Sequence, residues 1–440
     1  MEERNDSQTV FSGLVWKFME RGGRQGVQFI IQLVLARLLA PQDFGLLALL
    51  TVFINLANVV VQTGFSTSLI QSKEIDEVDL SSVFFTSLGI AGLMYTLLFF
   101  LAPLISQFYD QPQLTLIIRV LAIVLFIGGA NSVQSAIVTR RLQFKRFFYS
   151  TLGAIVLSGI VGIILAYLGF GVWALVFQQL ISEATIFIIL WFTVKWRPIM
   201  VFSIEKVKKH LSFGWKLLTS SLLNTLSMNL YDLIIGRVYS PLQLGFYNRA
   251  NQFPNMIVNN INGSISTVLL PVLSKNQENK PRLKEMVRRS IKTSSFIVFP
   301  LMIGLAVCAE PIVHIILTDR WLPSVPYLQI LCLSYLFYPI HIANLEAMNA
   351  MGRSDLFLKV EVIKQGIGII ALIITVPLGM LAVVASQPVV SIISTAINAY
   401  PNRSLLHYPI REQVKDILPA ILLSVCMAAV TISIQFLSLP

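Results

Sequence analysis

Long apolar runs separated by short polar breaks set the pattern of this chain. A bilayer crossing needs about 20 residues. Windows of that size place spans near 12–38, 44–70, 82–107, 115–137, 147–168 and 171–194, and a second series near 211–237, 244–272, 291–317, 325–350, 357–378, 380–400 and 416–437. Apolar residues fill these runs continuously rather than on alternate positions. That predicts an all-α polytopic membrane protein and excludes a closed β-barrel. The residues before the first run are few, polar and acidic (Glu2, Glu3, Asp6), so no cleavable signal peptide is expected.

The two series echo each other. Arg37, Pro41, Gly45, Phe53, Asn55, Ser66, Thr67 and Leu69 reappear at one constant offset as Arg237, Pro241, Gly245, Phe253, Asn255, Ser266, Thr267 and Leu269. Trp16-Lys17 is answered by Trp215-Lys216 within a residue of the same offset. A soluble solenoid repeats every ~20–50 residues. A single long-period duplication in an apolar chain predicts a two-lobed membrane transporter with parallel repeats. The expected division is a six-helix lobe at 1–195, a Lys-rich linker at 196–210, a second six-helix lobe at 211–402 and a peripheral helix at 403–440. Helices one, two, seven and eight would line a central cavity between the lobes.

Composition agrees: 55% of the 440 residues are hydrophobic and 12% charged, and the mean hydropathy is +0.74, where soluble domains carry about 25% charged residues. The net charge of +11 suggests nucleic acid until the cations are mapped. They cluster in alternate breaks: Arg140, Arg141, Lys145 and Arg146; Lys195, Arg197, Lys206, Lys208 and Lys209; and Lys275, Lys280, Arg282, Lys284, Arg288, Arg289 and Lys292. The intervening breaks at 38–43, 107–114, 168–171 and 238–243 contain none. By the positive-inside rule the N-terminus and the basic breaks are cytoplasmic, and no nucleic-acid partner is expected. Thirteen spans then leave the C-terminus outside. The chain stops at Leu439-Pro440 directly after an apolar run, consistent with a fourteenth helix beyond it.

No cofactor is expected. Cys308, Cys332 and Cys426 lie singly inside apolar runs and read as small buried hydrophobes. His314 and His341 lack ligand spacing, and no Walker A sequence or nucleophile–base arrangement occurs. The chain is not expected to be an enzyme. A membrane-embedded glycosyltransferase would need acidic catalytic loops on one side, and none is present.

The run Ala36-Arg37-Leu38-Leu39-Ala40-Pro41-Gln42-Asp43-Phe44-Gly45, after an N-terminal amphipathic span, resembles the polysaccharide-transporter branch of the multidrug/oligosaccharidyl-lipid/polysaccharide exporter superfamily. Within that branch it is similar to the Wzx-type oligosaccharide flippases. The resemblance covers nearly the whole chain, including the 6+6 repeat, although the family usually has twelve or fourteen spans. It implies export of a polyprenyl-diphosphate-linked oligosaccharide across the bacterial cytoplasmic membrane by alternating access, for cell-surface polysaccharide such as lipopolysaccharide or exopolysaccharide. Membrane lipids, a polymerase and glycosyltransferases would be its partners. The alternative on a similar fold is a cation-coupled multidrug antiporter.

Candidate site residues follow helical faces. Lys17, Arg21, Arg24 and Gln28 share one face of the first helix, with Glu20 beside them. Charges in lipid cost about 2.5–3.5 kcal/mol each, so this stripe predicts a water-filled interior. There Arg21 and Arg24 would bind the diphosphate through their guanidinium forks. Against this, Lys17 and Arg21 lie near the cytoplasmic end, where they can snorkel. Asn55, Asn58 and Gln62 on helix two, and Arg249, Gln252, Asn255 and Asn259 on helix eight, offer donors and acceptors for sugar hydroxyls. The same amides serve equally as interhelical glue. Glu20 and Asp232 read either as ion-coupling carboxylates or as counter-ions. Arg37 and Arg237 read as helix C-terminal cations that complement the dipole. Glu361 and Lys364 read as an i,i+3 pair at a cytoplasmic helix start, and Glu183 has no evident partner.

Overall fold

A computed structural model describes residues 22–72 and 74–436. Every regular element among them is helical. A first helix, α1, covers residues 22–38. It is followed by α2 (Pro41–Gln71), α3 (Glu77–Phe108), α4 (Leu114–Leu121), α5 (Val124–Arg140), α6 (Phe144–Tyr167), α7 (Val172–Thr193) and α8 (Ile204–Val238). Then come α9 (Pro241–Lys275), α10 (Lys280–Val307), α11 (Ala309–Ile316), α12 (Val325–Tyr335), α13 (Tyr338–Ala350), α14 (Ser354–Thr375), α15 (Met380–Leu405) and α16 (Ile410–Phe436).

Nine segments among the described residues are long and apolar enough to cross a membrane. Two expected spans are each made of two helices, α4–α5 and α12–α13. The long helices outside the nine are informative. α8 and α9 are rich in amides and hydroxyls, and α14 carries Lys359, Glu361 and Lys364. The basic stretch expected as a loop at 275–292 is helical from Lys280 onward. Pro281 in the first turn and the Asn279 side chain, which accepts from the Arg282 N–H, start that helix. Cys332 is buried as expected, but Cys308 is half-buried and Cys426 is exposed. Cys426 sits on an apolar outer face of α16 with Leu422, Leu423 and Val425, where lipid replaces a core.

The duplication is visible in how α2 and α9 begin. Each has proline at its first position, where the missing N–H would be unpaired anyway. The Asp43 carboxylate accepts from the Ala40 N–H, and the Ser240 hydroxyl accepts from the Gln243 N–H.

By internal packing the chain divides into Met1–Gly245 and Phe246–Pro440. This division falls after α8 rather than at the Lys-rich linker, because α8 lies along α2 within the first unit. Glycines permit that approach. Leu49 fills the space over Gly236, and Gly64 faces Gly214 backbone to backbone. The core of this unit joins Phe65, Leu69, Val83, Phe84, Val133, Ile137 and Leu190.

The linker after α7 is extended and tied to α3. Ser81 and Ser82 accept from the backbone N–H groups of Ile199 and Ser203 at 3.1 and 2.9 Å, and the Trp196 indole donates to Glu77 at 2.7 Å. At the start of α8, Lys206 bridges Asp76 and Asp79. The Asp79 backbone N–H, followed by Lys206, holds the Asp76 carboxyl down at about 2. His210 is buried between Asp79 (3.2 Å) and Ser68 (2.8 Å). The carboxylate can only accept, so Nε2 is the donor and Nδ1 accepts the Ser68 proton. Burial keeps this imidazole below its ordinary range.

The second unit is built on α15, against which α12, α13 and α14 pack, while α16 lies on α10. Asp416 of α16 is buried and receives Arg288 through two hydrogen bonds of 2.6 and 2.7 Å, Lys292 at 3.0 Å and the Tyr408 hydroxyl at 2.8 Å. Beside it Asn344 and Gln413 exchange hydrogen bonds, and Asn402 donates to Asn344.

Candidate functional site

The candidate residues fall in both units. Glu20 and Arg21 lie outside the described residues. Arg24 is exposed on α1, on the same face as Gln28. Its charge acts on Glu183 of α7, the carboxylate that local spacing had left alone.

On α2, Asn55, Asn58 and Gln62 are half-buried. Gln62 donates to Asn58 at 3.2 Å. Gly128 of α5 lies over this pair: a Cβ there would come within 2.5 Å of the Gln62 amide nitrogen and 3.0 Å of the Asn58 oxygen. Asn58 and Gln62 therefore form part of the α2–α5 contact, the glue arrangement of the two alternatives. On α8, Asp232 is half-buried and Asn224 exposed.

On α9, Arg249 departs from expectation. Expected to offer its donors to a sugar, its side chain is 4% exposed. It donates to the Gln252 carbonyl at 2.6 Å and sits over the Trp321 ring, 5.3 Å from the centroid. Trp321 is fully buried and meets Phe246 edge-on at 6.1 Å. A π face and an amide oxygen thus stabilise the guanidinium inside the second unit. One and two turns further on, Asn259 donates to Asn255, with Asn259 exposed and Asn255 half-buried. Asn262 is buried with no hydrogen-bond partner for either amide atom. Polar groups line α9 from Arg249 to Asn262, and of these Asn259 and Asn260 reach the surface.

Arg237 ends α8 as expected of a C-terminal cation. It pairs with Asp110 at 3.1 Å and lies over Phe108 at 5.0 Å. With Phe53, Leu104, Ile105, Tyr109, Leu233 and Ile234 it borders an apolar cavity of about 570 Å³ in the first unit. At the start of α2, close to Arg237 in the chain, the two copies of the duplicated motif touch. A Cβ on Gly45 would stand well under 3.0 Å from the Pro241 carbonyl, and one on Gly245 equally close to the Pro41 carbonyl.

Several polar pairings were not foreseen from the sequence. Tyr335 donates to Asn251 at 3.0 Å, Gln387 donates to Tyr247 at 2.9 Å, and His341 meets Thr395 at 2.6 Å. Their partners lie 54 to 140 residues away, beyond any local spacing rule. Glu361 and Lys364 do pair, but in the middle third of α14 and not at its start.

A family model described as "Polysaccharide biosynthesis protein" matches residues 34–326. Among curated proteins, the chain is 28% identical to the teichuronic acid biosynthesis protein TuaB of Bacillus subtilis, over 68% of this chain and 62% of that protein. It is 25% identical to the lipopolysaccharide biosynthesis protein WzxC of Escherichia coli, over 89% and 80%. The succinoglycan biosynthesis transport protein ExoT of Rhizobium meliloti is 23% identical, over 75% and 67%. The matched region thus spans about three fifths to four fifths of these relatives. Among solved structures, the lipid II flippase MurJ in an inward closed conformation aligns with a TM-score of 0.77 at 18% identity, covering 98% of this chain and 93% of that one. An inward-facing multidrug resistance MATE family transporter aligns at 0.66 with 15% identity, covering 86% and 95%. These two likenesses show the fold.

Proposed function

The chain belongs to the polysaccharide biosynthesis protein family, and from that premise we propose that it flips a polyprenyl-diphosphate-linked oligosaccharide across the cytoplasmic membrane by alternating access. It is a multi-pass membrane protein. The observation that carries the reading is the contrast between its long helices. Nine segments among the described residues suit lipid, whereas α8 and α9 present Asn224, Asn229, Asn255 and Asn259 at positions that are half-buried or exposed. Amides in such positions match sugar hydroxyls. Arg24 supplies an exposed cation for the diphosphate, and Arg21 and Asn55 complete the proposed set. Relatives concerned with teichuronic acid, lipopolysaccharide and succinoglycan support the substrate class.

Thermal unfolding of the purified protein tests this. Polyprenyl-diphosphate sugars should raise the melting temperature, since a ligand that binds only the folded state stabilises it by mass action, about 2.7 kcal/mol at a hundredfold excess over Kd. Lipophilic cations should not. Stabilisation by an organic cation alone, weakened in Asp232→Asn, would replace the flippase with an antiporter.

The proposed orientation places the N-terminus and the stretches 140–146, 195–209 and 275–292 in the cytoplasm, with 318–324 outside. Single cysteines at these places in a variant lacking the native three should react accordingly with an impermeant thiol reagent. Labelling of 195–209 from outside intact cells would invert the topology.

A further inference from the structure

The flippase function leaves the apolar cavity beside Arg237 without a role. This cavity lies wholly within the first unit, between the ends of α3 and α8, with Phe53 of α2 beside them. Its wall is aromatic. Tyr109 is buried, meets Phe53 edge-on at 6.2 Å and Phe108 at 5.0 Å, and its hydroxyl donates to the Leu233 carbonyl at 3.4 Å. The mouth is apolar as well, because Leu104, Phe108 and Val238 are exposed. At about 570 Å³ the cavity falls within the range of ligand sites, about 300–1,000 Å³. Apolar surface of this kind takes hydrocarbon in preference to water.

The rim carries one charge of each sign. Arg237 lies in the last turn of α8, and Asp110 stands just beyond α3. They are 3.1 Å apart, with side chains 45% and 80% exposed. Their bond uses one of the five guanidinium N–H groups and one of the two carboxylate oxygens. An exposed pair of this kind holds weakly, while the Phe108 ring keeps the guanidinium over the mouth. The level of the rim follows from α3. That helix starts beside the Lys-rich linker, where Lys206 holds Asp76. Its 32 residues rise about 48 Å, against a hydrocarbon core of about 30 Å. The polar turn Asp110-Gln111-Pro112-Gln113 follows, so the rim stands among lipid head groups at the end away from the basic linker.

We propose that this cavity binds a phospholipid whose head group carries both a phosphate and an ammonium, with an acyl chain between α3 and α8. The phosphate accepts from Arg237, the ammonium donates to Asp110, and the chain passes Leu104 and Phe108 toward Tyr109. The balanced rim decides among occupants. A polyprenyl-diphosphate carrier would crowd its negative charges against Asp110. A singly anionic phospholipid would leave that carboxylate facing a phosphate. A zwitterion answers both charges. Held there, the lipid ties the end of α8 to α3.

Native mass spectrometry of the delipidated full chain tests this without reference to transport, using phosphatidylethanolamine and phosphatidylglycerol with identical acyl chains. The wild type should hold phosphatidylethanolamine about fivefold more tightly, the worth of one further exposed ion pair. Asn tolerates the left-handed backbone of position 110, where φ is 54°, so Asp110→Asn should fold normally and bind the two lipids equally. Arg237→Gln should weaken both, and Ile234→Trp, which fills the cavity, should release both. Equal binding of the two lipids by the wild type, or a preference that survives Asp110→Asn, would overturn the proposal. So would undiminished binding in Ile234→Trp, which would place the lipid elsewhere. Tighter binding of undecaprenyl phosphate than of phosphatidylethanolamine would also overturn it and assign the rim to the carrier lipid.

Discussion

Gly45→Val should abolish transport while the protein still reaches the membrane. A Cβ at this position would overlap the Pro241 carbonyl, and the same is true of Gly245 and the Pro41 carbonyl. Both obstacles are backbone, so neither can swing aside as a side chain would. The first turns of α2 and α9 have to part, and the state described here becomes inaccessible or costly. Overpacking of this kind costs about 1–3 kcal/mol, and each 1.4 kcal/mol lowers a population tenfold. Valine adds two further methyls beyond the Cβ, so a loss of about a hundredfold or more in complementation is expected. Gly366→Ala is the control, since nothing lies within 4 Å of a Cβ there. Normal activity in Gly45→Val would show that the touching helix ends are not part of the transport cycle.

Arg249→Ala should cost the protein both its activity and its stability, whereas Arg24→Ala should cost only activity. Arg249 is enclosed by Trp321 and Gln252. Losing a hydrogen bond from a charged donor costs about 1.5–3 kcal/mol, and losing a desolvated cation–π contact about 2 kcal/mol. Arg24 is exposed, so its truncation leaves no cavity. Lysine should rescue Arg249 poorly, because a point charge cannot reproduce the planar group over the ring. Abundance and melting temperature of the purified variants, read beside transport, check this. An Arg249→Ala protein as stable as wild type but inactive would restore that side chain to direct substrate contact.

Nine of the thirteen expected spans and the turn chemistry were legible among the described residues, because each is written in consecutive positions. Pro41 and Pro241 start helices wherever the rest of the chain goes, and apolar runs of bilayer length have one use. Faces were legible too: Gln62 does reach Asn58, and Arg249 does reach Gln252, one turn along the same helix. What lies opposite a face was not. Gly128 over the Asn58–Gln62 pair, Trp321 under Arg249 and Glu183 near Arg24 come from distant segments. Spacing along one helix carries no information about them. The reading of Lys364 failed differently: the i,i+3 pairing was right, but helix boundaries inferred from hydropathy shift by several residues. A pair assigned to the start of a helix lies in its middle third.

The extended linker at 194–203 bears on how the molecule is made. Its anchors, Glu77, Ser81 and Ser82, sit at the start of α3, and the surface that receives α8 is supplied by α2 and α3. All of these leave the ribosome before α8 does. Synthesis proceeds at about 5–20 residues per second and earlier segments fold first, so the newborn α8 meets a finished seat and need not wait for later helices. A chain ended near residue 240 and released from the ribosome should therefore already protect α8 from protease, and Ser81→Pro should expose it.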